Sequence, residues 1–112
     1  MIAFEVSLNG NRVCVAGAED MAILTAMVMA VGKLGEKTIR TGTGADETSH
    51  DISCTVGGRT GRPNREKDVV ACWTPDIPLQ IGDVIQIKVL ETDKVDRAKS
   101  RSNAARRRSA SK

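Results

Sequence analysis

The sequence has very few aromatic residues, and this scarcity limits both its core and its ligands. Among 112 residues there is no tyrosine, one phenylalanine, Phe4, and one tryptophan, Trp73. Platforms for single-stranded nucleic acid stack bases on several exposed rings, so the composition argues against this mode of binding. The core must be built from aliphatic side chains and methionine, and an apolar fraction of 40% suffices for one modest domain.

Long apolar runs and a secretory signal are also lacking. The longest uncharged run, residues 21–32, is well short of the ~20 apolar residues that cross a bilayer. Met1 leads directly into an alternating stretch, without a basic segment followed by an apolar one. We therefore expect a cytoplasmic protein that does not associate with membranes.

The three cysteines, Cys14, Cys54 and Cys72, are not clustered as in a zinc site. Each lies within an apolar, strand-like run, so we expect reduced and buried thiols. His50-Asp51 with Cys54 is a poor nucleophilic pair, because Cys54 alternates inward from the strand that His50 begins. We expect no catalytic residue, no metal and no cofactor.

Charge is distributed unevenly along the chain. Seven of the 17 basic residues, but one of the 14 acidic residues, follow position 95. The remainder is slightly acidic, although the whole chain carries a formal charge of +3. We predict one domain over residues 1–95 and a disordered basic tail over residues 96–112, because the tail has too few apolar side chains to offset its ordering entropy.

The first half of the domain predicts a β-hairpin followed by a helix. Apolar residues alternate over residues 2–8, and Asn9-Gly10 suits a tight turn into a return strand at residues 12–16. Glu19 or Asp20 is a potential cap for a helix that opens at Met21 and ends near Leu34, where glycines provide stop signals.

Three further strands are predicted after a long polar loop. Residues 51–56 and 68–73 form a second hairpin with a long tip, and residues 84–91 form the last strand. Pro75 and Pro78 are expected to keep the segment that follows Trp73 out of a sheet interior. The fold class is therefore α+β, with one helix packed on a mixed sheet.

The order hairpin, helix, hairpin and final strand resembles the β-grasp, or ubiquitin-like, fold. The segment Leu79-x-x-Gly82-Asp83-x-Ile85 is similar to the entry into the last strand of sulfur-carrier and TGS-type members. Those carriers end in an exposed Gly-Gly, whereas this chain ends in Ser111-Lys112, so the resemblance implies the fold without conjugation chemistry. The chain also resembles small bacterial proteins of unknown function, in residues 2–10, 56–58, Trp73 and Gly82-Asp83. This resemblance implies no activity.

The predicted helix has more apolar surface than one sheet can cover. Ile23 and Met27 lie along the face that would pack on the sheet, whereas Leu24, Val28 and Met29 fall outside it. They either lie beneath the loop that begins at Gly35 or contact another chain, since contiguous exposed apolar surface usually marks an interface. These three residues are the candidate partner-binding site.

Two basic segments are candidates for binding anions or nucleic acid. Glycines and basic side chains alternate in the predicted hairpin tip, and a triple arginine lies in the tail. The candidate residues are Arg59, Arg62, Arg65, Lys67, Arg106, Arg107 and Arg108. Both segments have simpler explanations, a solvated tip and a solubilising terminus, and the tip lacks the spacing of a phosphate-binding loop.

The leading hypothesis from the sequence is a non-catalytic interaction module. It would bind a protein partner, or a second copy of itself, through the helix face or an exposed sheet edge. The alternative is a nucleic-acid or anion binder that uses the basic tip and the Arg-rich tail.

Overall fold

The computed structural model describes residues 1–39 and 50–103, which form two antiparallel sheets. The first sheet has the order β2-β1-β6 and the second the order β3-β4-β5-β7. The strands are β1 (Ile2–Leu8), β2 (Asn11–Ala16), β3 (Met21–Gly32), β4 (His50–Thr60), β5 (Val69–Leu79), β6 (Ile85–Glu91) and β7 (Ser100–Asn103). A 3-10 turn, Arg65–Lys67, lies between β4 and β5.

The predicted first hairpin is confirmed. β1 pairs with β2 from Phe4 opposite Ala16 to Leu8 opposite Asn11. Asn9 and Gly10, between the strands, have φ values of 51° and 84°. Two consecutive positive φ values are typical of the two-residue turn whose backbone twist matches the twist of the flanking strands. Asn-Gly is the favoured sequence of this turn.

The predicted helix at Met21 is wrong, because this segment is strand β3. It pairs with β4 along its whole length, from Met21 opposite Thr60 to Gly32 opposite His50. The described residues contain no α-helix, so the α+β, β-grasp-like arrangement of one helix on a mixed sheet is also wrong. An uncharged run that is apolar on every side has no period that separates a helix from a strand, and pairing with β4 overrides the helix propensity of Ala, Leu and Met.

The second hairpin joins β4 and β5, but both strands are longer than expected. β5 continues through Pro75 and Pro78, and Pro78 lies opposite Ser53 of β4. On its other side, β5 pairs with β7 only over Val69–Cys72. The half of β5 that contains the prolines therefore has a sheet neighbour on one side only among the described residues, which is where a missing amide hydrogen is tolerated.

The core lies between the two sheets and is made of small aliphatic and thiol side chains around one ring. Val6, Cys14 and Ala16 of the first sheet pack with Cys54, Val56, Ala71 and Trp73 of the second. Val6, Cys54 and Val56 are fully buried. Trp73 is the one bulky member, and its indole Nε1 donates to the backbone oxygen of Asp96 at 2.9 Å.

Residues after Val95, assigned to the tail from the sequence, continue the fold as far as Asn103. The backbone N–H of Asp96 donates to Val15 O, and a carboxylate oxygen of Asp96 accepts from Val15 N, both at 2.8 Å. Lys99 N donates to Cys72 O, and β7 then extends the second sheet beside β5. This polar segment is ordered by hydrogen bonds to strand edges, a source of order that composition does not reveal.

Candidate interaction site

Strand β3 is the end strand of the four-stranded sheet. Within the part of the chain that the structure describes, it pairs with β4 and with no other strand. Its sequence, MAILTAMVMAVG, has neither a charged residue nor a proline. Natural end strands are usually protected from further pairing by lysines, prolines or bulges. In β3 the one irregularity lies at its start, between Met21 and Ile23.

Both faces of β3 carry exposed apolar side chains. Leu24, Ala26, Val28 and Ala30 point toward the first sheet, and Ile23, Thr25, Met27, Met29 and Val31 point away from it. Leu24 and Ala26 are partly buried against the core, but Val28 is 50% exposed. On the outer face, Ile23 is 54% and Met27 is 51% exposed. The strand thus has the two-sided apolar pattern of an interior strand although it lies at the end of its sheet.

The three residues predicted to bind a partner are not on one surface. Leu24 packs against the core. Val28 and Met29 are about half exposed, at 50% and 49%, and lie on opposite faces of the same strand. The helix face that would have united them does not exist. What they share is the end strand itself, together with Ile23 and Met27, which the sequence analysis did not select. The absence of any charge over residues 21–32 was the signal that could have identified them.

The first sheet also has an uncovered apolar side, at β6. Val89 lies opposite Phe4 and Ile87 opposite Val6 in the antiparallel pair, so these side chains share the inward face of the sheet. Val6 is fully buried, but Ile87 is 40% and Val89 is 68% exposed. Contacts between the sheets join β1 to β3 and β2 to β5. Strand β6 has no comparable contact with a strand of the second sheet, although Ile85 at its start packs against the core.

The basic hairpin tip is partly neutralised by carboxylates. Arg62 Nε donates to Asp20 at 2.9 Å, and an Arg62 terminal nitrogen donates to the backbone oxygen of Lys67. Arg59 lies 3.9 Å from Asp68, a buried carboxylate that also accepts from Thr60 and from the backbone of Arg62. Two of the four predicted cations thus hold the tip together.

Arg65 and Lys67 are exposed on the 3-10 turn. The other predicted cations, Arg106, Arg107 and Arg108, lie outside the described residues. The structure therefore does not bring the seven candidate cations together into one surface that can be described.

The internal Gly57-Gly58 pair has a structural role in strand packing. A Cβ at Gly57 would lie 2.9 Å from Ala71 O on β5, and a Cβ at Gly58 would overlap Ile23 O on β3. The glycines let both neighbouring strands approach β4 closely. They also leave a shallow groove on the outer face of the sheet, with Arg59 and Arg101 among its lining and no acidic residue.

Two of the three cysteines, Cys14 and Cys54, belong to the core, whereas Cys72, which was expected to be buried, is partly exposed and lines the outer groove. All three are free, and Cys14 and Cys54 are buried. Burial raises the pKa of the Cys14 thiol to about 11, with a further contribution from the nearby Asp96 carboxylate, and burial also raises the pKa of Cys54. Both thiols are therefore protonated at neutral pH, and a protonated thiol is a weak nucleophile.

Among the described residues, no three His, Cys, Asp or Glu side chains come together as a possible metal site. Over the same residues, no helix has the length and apolar character needed to span a membrane.

Comparison with known proteins adds no assignment: the chain has no significant match to a family model, a curated protein or a solved structure.

Proposed function

We propose that this protein is a non-catalytic interaction module that accepts an extended strand of another chain along β3. The observation that carries the proposal is the end strand Met21–Gly32, which is uncharged, free of proline and apolar on both faces. An incoming strand would satisfy the outward backbone groups of β3 and cover its exposed side chains. Main-chain hydrogen bonds would supply affinity, and the alternating side chains would supply selectivity.

The open side of the sandwich supports the same location. In a sandwich whose two sheets are aligned, with β1 near β3 and β2 near β5, a strand added beside β3 would lie beneath β6. Val89 and Ile87 would then gain an apolar layer to pack against, as would Val28 on β3. One added strand would thus cover exposed apolar groups of both sheets, and burial of such surface contributes about 25 cal/mol per Å².

Two measurements test this proposal: binding by a matched pair of variants, and hydrogen exchange in the complex. First, the proteins of the native host that bind the wild type are compared with those that bind Met27→Lys and those that bind Ile81→Lys. Ile81 is 84% exposed in the turn before β6, so its variant controls for the added charge. We expect Met27→Lys to lose binding, Ile81→Lys to retain it, and the bound partner to slow amide exchange over residues 21–32. Unchanged exchange in β3 upon binding would place the interface elsewhere.

A second candidate function is anion binding at the outer groove. Its specific support is the pair Arg59 and Arg101 in a groove whose lining has no acidic residue. The bond of Arg59 to Asp68 reduces its free charge. Binding of a DNA duplex that weakens steeply with salt, is lost in Arg59→Gln with Arg101→Gln, and survives Met27→Lys would favour this function over the first.

The module is expected to work in the cytoplasm. Its three thiols are free, as is usual where the surroundings are reducing.

A further inference from the structure

We propose that the strand accepted by β3 is the β3 strand of a second copy, so that two chains form one continuous eight-stranded sheet. This inference rests on the proposed function, because it names the partner for the same edge. The occupant must be an uncharged strand whose two faces are both apolar, since it would pack beside β3 and beneath β6. Strand β3 has these properties itself, and a two-fold axis makes one edge serve both chains.

Symmetry determines how the two strands face each other. Two copies of one strand that pair antiparallel about a two-fold axis have this axis perpendicular to the sheet, so each inner face lies beside the other inner face. The regular part of β3, after the irregularity that ends at Ile23, is centred on Met27. In this register Met27 lies opposite Met27 of the other copy, and Ala26 lies opposite Val28.

The register places the uncovered half of each strand under the other copy. Leu24, which lines a groove with Phe4 of the first sheet, would lie opposite Ala30 of the second copy. Val89 is paired with Phe4 on the same face and is exposed, and in a sandwich with aligned sheets it lies above a strand added beside β3. It would therefore cover Val28 and Ala30 of the second copy, and the reciprocal contact follows from symmetry.

The area of the edge shows that this reciprocal contact is needed. Nine paired residues at about 3.4 Å each, in a layer about 10 Å thick, give roughly 300 Å² on each chain. Stable interfaces usually bury about 1,200 Å² or more in total. The strand pair alone falls short of this, so the apolar side chains of β6 must contribute a substantial part of the interface.

Charge does not oppose the pairing. Of the strands at the proposed interface, β3 has no ionisable side chain, so no like charges face each other across the two-fold axis. Lys88 and Glu91 are the charged residues of β6. Lys88 lies opposite Glu5 in the first sheet, on the face away from Val89.

A pair of cysteine variants tests the register directly. Met27→Cys and Met29→Cys change residues on the same outer face with nearly equal exposure, 51% and 49%. In the proposed dimer the two Cα atoms at position 27 are about 4.5–5.5 Å apart, within the span of a disulfide. Those at position 29 are four residues out of register, about 14 Å along the strands.

We expect mild oxidation to cross-link Met27→Cys as a dimer, and to leave Met29→Cys and the wild type, with its three native cysteines, as single chains on a non-reducing gel.

Sedimentation of the wild type should show a reversible dimer, and Val89→Lys should weaken this dimer at least tenfold. Because Val89 is 68% exposed, this variant should fold normally, which circular dichroism checks.

Three results would overturn the inference: a wild type that sediments as a monomer at every concentration, equal cross-linking of the two cysteine variants, or a dimer unaffected by Val89→Lys. If the monomer result is accompanied by slower β3 exchange upon binding of another protein, the proposed function stands and only its partner is changed. If β3 exchange is unaffected by any binding, both proposals fail.

Discussion

Replacing Asp96 tests how the two sheets are held together by the C-terminal crossing, the segment 92–99 that leads from β6 of the first sheet to β7 of the second. Its carboxylate accepts a 2.8 Å hydrogen bond from the backbone N–H of Val15, a residue that is 6% exposed. Asp96 is exposed and this hydrogen bond is partly buried, so Asp96→Ala removes the acceptor while water can reach the N–H. We therefore expect the free energy of unfolding to fall by about 0.5–1.5 kcal/mol, the net contribution of a typical hydrogen bond.

The loss should depend on the acceptor and not on the charge alone. Asp96→Asn keeps a side-chain oxygen in the same place, so its loss should be smaller than that of Asp96→Ala. Asp93, an exposed residue in the same crossing segment, provides the control, and Asp93→Ala should change stability by less than about 0.5 kcal/mol.

Urea denaturation measures these differences, with the fluorescence of Trp73 as the probe. The indole donates to the backbone oxygen of Asp96, and Trp73 is only 3% exposed to solvent in the folded protein, so unfolding of the crossing changes its environment. The midpoint should shift without a change in slope if the folded and unfolded states keep their extent. Equal stability of Asp96→Ala and Asp93→Ala would refute the view that residues 96–103 are a structural part of the fold.

Three other predictions follow from the geometry. Gly58→Ala should destabilise the protein by about 1–3 kcal/mol in urea denaturation, since its Cβ would overlap Ile23 O; no loss would contradict the close strand approach. The hydrogen bond from the Asn9 side chain lowers the pKa of Asp83. The ionised Asp83 carboxylate therefore contributes fully to stability above pH 3.8, its ordinary pKa, and this contribution is lost as the pH falls below that value. Asp83→Asn should therefore flatten the acid limb of a stability profile, and an unchanged profile would refute this. At pH 9 an ordinary thiol is half ionised, so the pKa of about 11 should slow alkylation of Cys14 at least about fiftyfold until urea unfolds the chain. Mass spectrometry measures the modification, and rapid alkylation of Cys14 in the folded protein would contradict the burial of this thiol.

Local signals in the sequence identified some strands correctly. Asn9-Gly10 between two alternating runs specified the first hairpin, because few other residues adopt consecutive positive φ values. The strand from Ile85 to Glu91 was also predicted within one residue. In both places the turn chemistry and the period of two agree, so the local pattern is sufficient.

Other elements depend on contacts that no local pattern encodes. Residues 21–32 contain good helix formers and no charges, and their conformation is decided by pairing with β4. The prolines at 75 and 78 were expected to keep their segment out of a sheet interior, but they are tolerated in β5 because β7 does not extend that far along it. Residues 96–103 are polar and are ordered by Val15 and Cys72.

The candidate site was predicted in part. Val28 and Met29 were selected as surplus apolar residues, and their half-exposed side chains fit that description, although a strand puts them on opposite faces. Ile23 and Met27 were assigned elsewhere because a helical period of 3.6 groups residues differently from a strand period of two. Their role in binding, and that of Val28 and Met29, stays a prediction.

Amide exchange along β3, resolved by residue with NMR, tests the central claim most directly. In an end strand every second backbone N–H points away from its neighbour, so a free β3 should show alternating fast and slow exchange. The account predicts this alternation in dilute protein and its disappearance, with protection of both sets from Ile23 to Val31, as the concentration rises or a partner binds. Persistent fast exchange of one set under all of these conditions would contradict it.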